Sequence, residues 1–232
     1  MSRWTSIDAV GLGVAAGGAV ARAVARAVSR FGGGEVVVSF PGPQRQVAIT
    51  FDDGPDRETT PRLLQVLAAH EAHATFFVIG ERARAHPDLL EQIAAGGHEL
   101  GNHLLRDEPS IRLGRAEFDR QLHEVDELLR VHGPVNFFRP GSGWFSPRML
   151  RSGSRLRYRC ALGSLGLVAA RYPRPAALAA RIARRCRPGS IVVLHEGSGD
   201  RLGVVEVTAR LLPALRQAGL RPVTLSTLAA PA

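Results

Sequence analysis

The chain has 232 residues, 45% of them hydrophobic, and a formal charge of +9; this buries one sizeable core and falls short of two ordinary domains. All 30 basic residues are arginine, a balance that favours contact with anionic surfaces. The arginines are scattered, with at most two adjacent (Arg184 and Arg185) and no interleaved aromatics, which argues against a specific nucleic-acid platform.

Residues 1–34 differ from the rest. A Gly/Ala/Val stretch from Val10 to Val28 carries Arg22, Arg26 and Arg30 at four-residue spacing and closes in Gly32, Gly33 and Gly34. That spacing puts the arginines on one helical face and Val20, Val24 and Val28 on a neighbouring one, which predicts an amphipathic surface helix. The apolar run Ala9 to Ala21 is 13 residues long, short of the ~20 that cross a bilayer. Its positive charges follow the run instead of preceding it, unlike a cleavable secretory signal. A membrane-surface anchor, a poor signal and a packing helix all remain open. The compartment is open with them, cytoplasmic or membrane-associated at the cell envelope. The organisation read from the chain is an extension, 1–34, and one domain, 35–232.

After the triple glycine, Glu35 to Phe40 and Gln46 to Phe51 are β-branched, strand-like runs separated by a Pro-Gly-Pro turn. A helix is predicted over Thr60 to His70, with Thr60 as N-cap ahead of Pro61. Ala74 to Ile79 is a compact apolar strand, followed by a helix over Pro87 to Ala95 with a stop at Gly96 and Gly97. Arg115 to Val131 reads as a charged amphipathic helix, Val135 to Arg139 as a short strand, and Ser190 to His195 as a strand ending in a polar residue. Val204 to Ala218 is the expected last helix, and Arg221 to Leu225 the final strand. Alternating strands and helices imply a mainly parallel sheet, doubly wound or closed into a barrel. Cys160 and Cys186 lack metal or redox spacing and read as small buried hydrophobes, a single bridge between them being the alternative.

Four segments carry candidate chemistry. Asp52 and Asp53 end the second strand before Gly54 and Pro55; neighbouring side chains on a strand point to opposite faces, so both carboxylates share a pocket only if the chain turns there. One can then bind a metal while the other acts as a base; a solvated turn is the plainer alternative. His103 and Asp107, four residues apart, offer a nitrogen and an oxygen ligand, or an ordinary surface pair. Arg139 leaves an apolar strand into a loop with Pro140, Gly141 and Trp144, where a guanidinium can orient a carboxylate and an indole face can meet a sugar ring; otherwise Arg139 is solvated and Trp144 plugs the core edge. His195, after Leu194, suits a general acid, or is structural.

Taken in order, Thr50-Phe51-Asp52-Asp53-Gly54-Pro55, Gly101-Asn102-His103, Phe138-Arg139-Pro140 and Leu194-His195 resemble the motifs of the polysaccharide deacetylase family, the carbohydrate esterases with a NodB homology domain. The resemblance covers residues 45–228. It implies an α/β fold, a distorted (β/α) barrel with fewer than eight repeats, and a divalent metal, usually zinc, in a groove. It implies hydrolysis of an N-acetyl group of an amino sugar or glycan such as a chitooligosaccharide or peptidoglycan. By the same resemblance Asp52 is the general base, His195 the general acid and Arg139 the residue that orients the base. Asp53 and His103 take metal positions, and Pro140, Gly141, Trp144 and Leu194 lie against substrate.

Three departures qualify the match. Asp107 stands where the family's second motif has histidine; an Asp53, His103 and Asp107 set is harder and shifts preference away from zinc toward manganese, iron, cobalt or magnesium. No Asp or Glu lies between Arg139 and His195, so Arg139 must pair with Asp52 or with a group elsewhere. Glu196 follows His195 where aspartate is frequent, and its longer arm threatens the orientation of that histidine. The alternatives carried forward are hydrolysis of another non-peptide amide on the same fold and a non-catalytic carbohydrate-binding relative.

Overall fold

The computed structural model describes residues 10–11, 33–40, 42, 44–166, 172 and 174–231. The amphipathic helix expected over Val10 to Val28 lies outside the described residues, apart from a two-residue strand. In chain order the strands are β1 (Val10–Gly11), β2 (Val36–Val37), β3 (Gln46–Gly54), β4 (Thr75–Val78), β5 (Glu99–Asn102), β6 (Phe137–Phe138), β7 (Trp144–Phe145), β8 (Arg159–Ala161), β9 (Leu165–Gly166), β10 (Ile191–His195) and β11 (Arg221–Val223). The helices are α1 (Thr60–Ala69), α2 (Gly80–Ala85), α3 (Pro87–Ala95), α4 (Arg115–Arg130), α5 (Pro147–Arg155), α6 (Pro175–Arg185), α7 (Gly203–Gln217) and α8 (Leu225–Ala229).

Nine strands form one sheet in the order β2-β8-β6-β5-β4-β3-β10-β9, with β11 also on β3, and every ladder in it is parallel. An isolated bridge between Ser39 and Ser190 brings the chain after β2 against the start of β10. The sheet therefore curls toward a barrel with fewer than eight complete β/α repeats. Among the described residues no helix is long and apolar enough to cross a membrane.

Side chains on β3 show how the two faces divide. Val47, Ile49 and Phe51 belong to the larger apolar cluster shared with the helices. Ala48 belongs to a smaller one with Val37, Phe77, Phe137, Ala161 and Ile191, closed by Leu225 and Leu228 of α8. Phe51 and Phe76 stack with centroids 5.0 Å apart, each contributing about 1.5–3 kcal/mol by leaving water. Strand alternation then leaves Thr50 and Asp52 on the face of Ala48, toward the interior and at the carboxyl end of the strand.

The observed elements shift some boundaries. The N-cap of α1 is Thr59, not Thr60; Thr60 lies in the first turn and its hydroxyl donates to Glu196 Oε2 at 2.5 Å. α3 ends as expected, with Gly97 in the left-handed region (φ 71°) that only glycine enters without cost. α2, α5, α6 and α8 were not anticipated; α2 and α8 are short, and six or five residues carry too little periodicity to read. Cys160 and Cys186 are free and buried, so no bridge joins them.

Candidate active site

Asp52 sits in register with His195 on the neighbouring parallel strand, so both reach the same rim. Between Asp52 and Gly54 the ladder with β4 slips, two residues of β3 advancing against one of β4, and Asp53 occupies the extra position at φ 69°. A bulged left-handed residue re-aims its side chain. That is how two adjacent aspartates come to share a pocket without leaving the strand. Gly54 is then forced to be glycine, since a Cβ there would lie 1.6 Å from Glu196 Oε1.

Arg139 leaves β6 and is 3% exposed on its side chain. Its Nη1 donates to Asp52 Oδ1 and to Thr50 Oγ1 at 2.9 Å. Its Nε donates to the Ala161 carbonyl at 2.8 Å, and the guanidinium lies over the Phe77 ring, 4.1 Å from its centroid. Arg139 thus pairs with Asp52 itself, and Nη2 is buried with no hydrogen-bond partner among the described residues.

His103 ends β5. Asn102 Oδ1 accepts from the Leu104 N–H at 2.9 Å, stabilising a left-handed Leu104 (φ 64°) that turns the chain away just after the histidine. His103 Nδ1 lies 2.7 Å from the Arg139 carbonyl oxygen, where only an N–H makes a hydrogen bond, and His103 Nε2 lies 3.2 Å from Asp53 Oδ1. Burial alone would lower the imidazole's pKa, but the Asp53 hydrogen bond and the charges of Asp52 and Asp53 raise it. Burial likewise raises Asp53, yet His103, His195 and Arg201 outweigh it and hold this carboxyl well below the usual range.

His195 Nε2 is 3.9 Å from Asp52 Oδ2, close enough for charge coupling and too long for a hydrogen bond. The Tyr172 hydroxyl clamps its backbone, accepting from the N–H at 2.7 Å and donating to the carbonyl at 2.9 Å. Glu196 does not disturb His195: it turns the other way and is buried against Thr59 and Thr60, where desolvation pushes its carboxyl up to about 8. Leu194 is wholly buried. The Gly141 N–H donates to Ser110 Oγ at 2.8 Å, and Pro140 and Gly141 are buried beside it. Trp144 is 46% exposed, so it does not plug the core.

Asp107 is placed apart from the other two candidate metal residues. Its carboxylate is 54% exposed and faces Arg82 Nη2 at 3.4 Å, while Nη1 of the same guanidinium donates to the Asp53 carbonyl. Arg82 therefore stands between Asp107 and the pocket. A second cation, Arg201, donates from Nη1 to Asp53 Oδ2 at 2.7 Å and to the Glu196 carbonyl at 3.1 Å. No group of three His, Cys, Asp or Glu side chains that could hold a metal occurs among the described residues. As arranged, the residues do not fit a divalent ion: two donors converge where three are expected, and a guanidinium holds the second oxygen of one of them.

Sequence reasoning missed Arg82, Arg201 and Tyr172, which reach the site from loops and helices with no motif of their own. Thr50 was within reach, since it lies two residues before Asp52 and therefore on the same strand face.

An incomplete parallel β/α barrel that gathers carboxylate, imidazole and guanidinium groups at the carboxyl ends of its strands is the class that fold and site define. The comparisons with known proteins make the family specific. The family model described as polysaccharide deacetylase matches residues 40–161, and the chain belongs to that family, whose deacetylases are generally metal-dependent. A peptidoglycan-N-acetylglucosamine deacetylase of Bacillus cereus is 31% identical over 84% of this chain and 93% of its own length. A chitooligosaccharide deacetylase of Sinorhizobium fredii is 33% identical over 75% of this chain and 86% of its own. Among solved structures, a peptidoglycan N-acetylglucosamine deacetylase in complex with a naphthalenyl-substituted N-oxidanyl-benzamide superposes with TM-score 0.79 at 30% identity, covering 83% of this chain and 92% of that one.

Proposed function

We propose that the chain hydrolyses the N-acetyl amide of an amino sugar within a glycan, a chitooligosaccharide or peptidoglycan strand, releasing acetate and a free amine. The observation that carries this reading is the pairing of Asp52 with His195 on adjacent strands, 3.9 Å apart, with Arg139 fixed on the other oxygen of Asp52. The names of the relatives supply the substrate class.

In this reading Asp52 Oδ2 accepts a proton from a water as its oxygen attacks the acetyl carbon. The tetrahedral intermediate collapses by breaking the C–N bond, and His195 Nε2 gives its proton to the departing amine. The proton on Asp52 then returns to His195, so one water is divided between acetate and amine. Arg139 keeps Asp52 from rotating away, and Tyr172 keeps the backbone of His195 in place. Trp144, standing in solvent, is the surface for a sugar ring.

Acetate release from chitooligosaccharides and peptidoglycan fragments tests the reading, in the presence and absence of added zinc, manganese, cobalt or magnesium. Release that falls by at least about 10²-fold in Asp52→Asn is the expected result; release unchanged in that variant removes the base assignment. A second reading, a carbohydrate-binding relative without catalysis, is favoured by Arg201 on Asp53 and by the distance of Asp107. It is selected by saturable glycan binding with no acetate from any substrate under any metal.

A further inference from the structure

Each carboxylate of the candidate site has a guanidinium of its own. Arg139 is on Asp52, Arg201 on Asp53 and Arg82 on Asp107. Because arginine stays protonated throughout the accessible pH range, three fixed positive charges balance three carboxylates. A divalent ion held by Asp53 and His103 would sit on an Asp53 carboxylate, both of whose oxygens already have partners, and on the lone pair of His103 Nε2. Oδ2 accepts from Arg201 at 2.7 Å, and Oδ1 faces His103 Nε2 at 3.2 Å, so an ion on this carboxylate meets the Arg201 charge one oxygen away. The ion would also enter beside two guanidinium groups in a pocket where charges are poorly screened.

Arg201 is built into that position. It is anchored a second time on the Glu196 carbonyl, and its side chain is 24% exposed, so it lies against Asp53 with little solvent between them. Arg82 is anchored on the backbone of the same aspartate. Its removal from Asp107 would be a separate step from the removal of Arg201 from Asp53.

We propose that Arg201 is the resident cation of this site, and that a divalent ion reaches Asp53 only by displacing it. The chain departs from its family here: the positive charge at Asp53 comes from a side chain. This goes beyond the hydrolysis reading and is measured without any glycan, so the two stand or fall separately.

The test is equilibrium dialysis and calorimetry with zinc and with manganese on the full chain and on Arg201→Gln and Arg201→Lys, each confirmed as folded by its thermal transition. The wild type is expected to retain well under one equivalent of zinc after purification. Arg201→Gln should bind zinc at least about tenfold more tightly, within the range by which neighbours of metal ligands alter affinity, and Asp53→Asn in that background should abolish the gain. Arg201→Lys keeps the charge and should gain little. A wild-type protein that holds one equivalent of zinc, lost on Asp53→Asn, overturns the proposal even if the Arg201 variants fail to fold. So does an affinity that is the same in wild type and Arg201→Gln, or a gain equal in the Gln and Lys variants.

Discussion

Arg139 and Asp52, 87 residues apart in the chain, form an ion pair in which both side chains are almost wholly buried. The guanidinium is held from behind by the Ala161 carbonyl and from the side by Thr50, so the pair is rigid. Removing one partner of such a pair leaves an uncompensated buried charge. Arg139→Met should therefore cost about 3–5 kcal/mol in urea denaturation. Arg139→Lys, which keeps the charge but cannot make the three-way fork, should cost less. Equal losses in the two would mean that stacking on Phe77, and not charge, is what Arg139 contributes.

Gly54 and Glu196 are fitted to each other. The Cβ of an alanine at 54 would sit 1.6 Å from Glu196 Oε1 and 2.4 Å from its Cδ, atoms that cannot coexist at those distances. Overpacking of this kind costs typically about 1–3 kcal/mol, and Gly54→Ala should lose at least that. In the double variant Gly54→Ala with Glu196→Ala the clashing atoms are gone, so the two changes should be strongly non-additive. Additive losses in the four-member cycle would show that Gly54 is required for its backbone and not for the space Glu196 fills.

The parts of this site that were legible in the sequence are those that the sheet itself delivers. Asp52, Arg139 and His195 stand at the ends of apolar strands, and a parallel sheet presents all such strand ends on one rim; His103 follows Glu99-Leu100-Gly101-Asn102, a strand with no apolar pattern to read. The sharing of a pocket by Asp52 and Asp53 was legible as a need for a turn. The device that meets the need, a bulge in a parallel ladder, depends on the register with β4 and has no local signature. Arg82 and Arg201 were out of reach because their positions are set by contacts with Asp53 across 29 and 148 residues. The same contacts explain why four-residue spacing was a poor guide for Asp107: the left-handed turn at Leu104 breaks the helical geometry that spacing assumes.

Glu196 makes stability depend on pH in a stated direction. Its carboxyl is raised from 4.5 to about 8, chiefly by burial, so between those values the folded chain holds a proton that the unfolded chain releases. The unfolded state binds fewer protons, and stability falls as pH rises through that window and levels off above it. The loss is on the order of a few kcal/mol. Glu196→Gln, neutral at every pH and nearly the same shape, should flatten this part of the profile and be the more stable form at the alkaline end. Urea midpoints from about pH 5 to about pH 9 decide it; parallel profiles in the two proteins would mean that Glu196 is ionised in the fold.

Trp144 separates packing from recognition. The indole is 46% exposed on a two-residue strand that pairs with Val10–Gly11, next to the loop that carries Pro140 and Gly141. Since nearly half of it stands in solvent, Trp144→Ala should change stability by no more than about 1 kcal/mol. A ring that stacks on a sugar contributes to holding substrate and takes no part in the proton transfers proposed for Asp52 and His195. The expected result is a several-fold rise in KM for a chitooligosaccharide with kcat little changed, larger for longer oligomers if the ring meets a sugar beyond the reacting one. A fall in kcat at constant KM would place Trp144 among the groups that align the reacting amide, and a loss of stability beyond that bound would return it to the core.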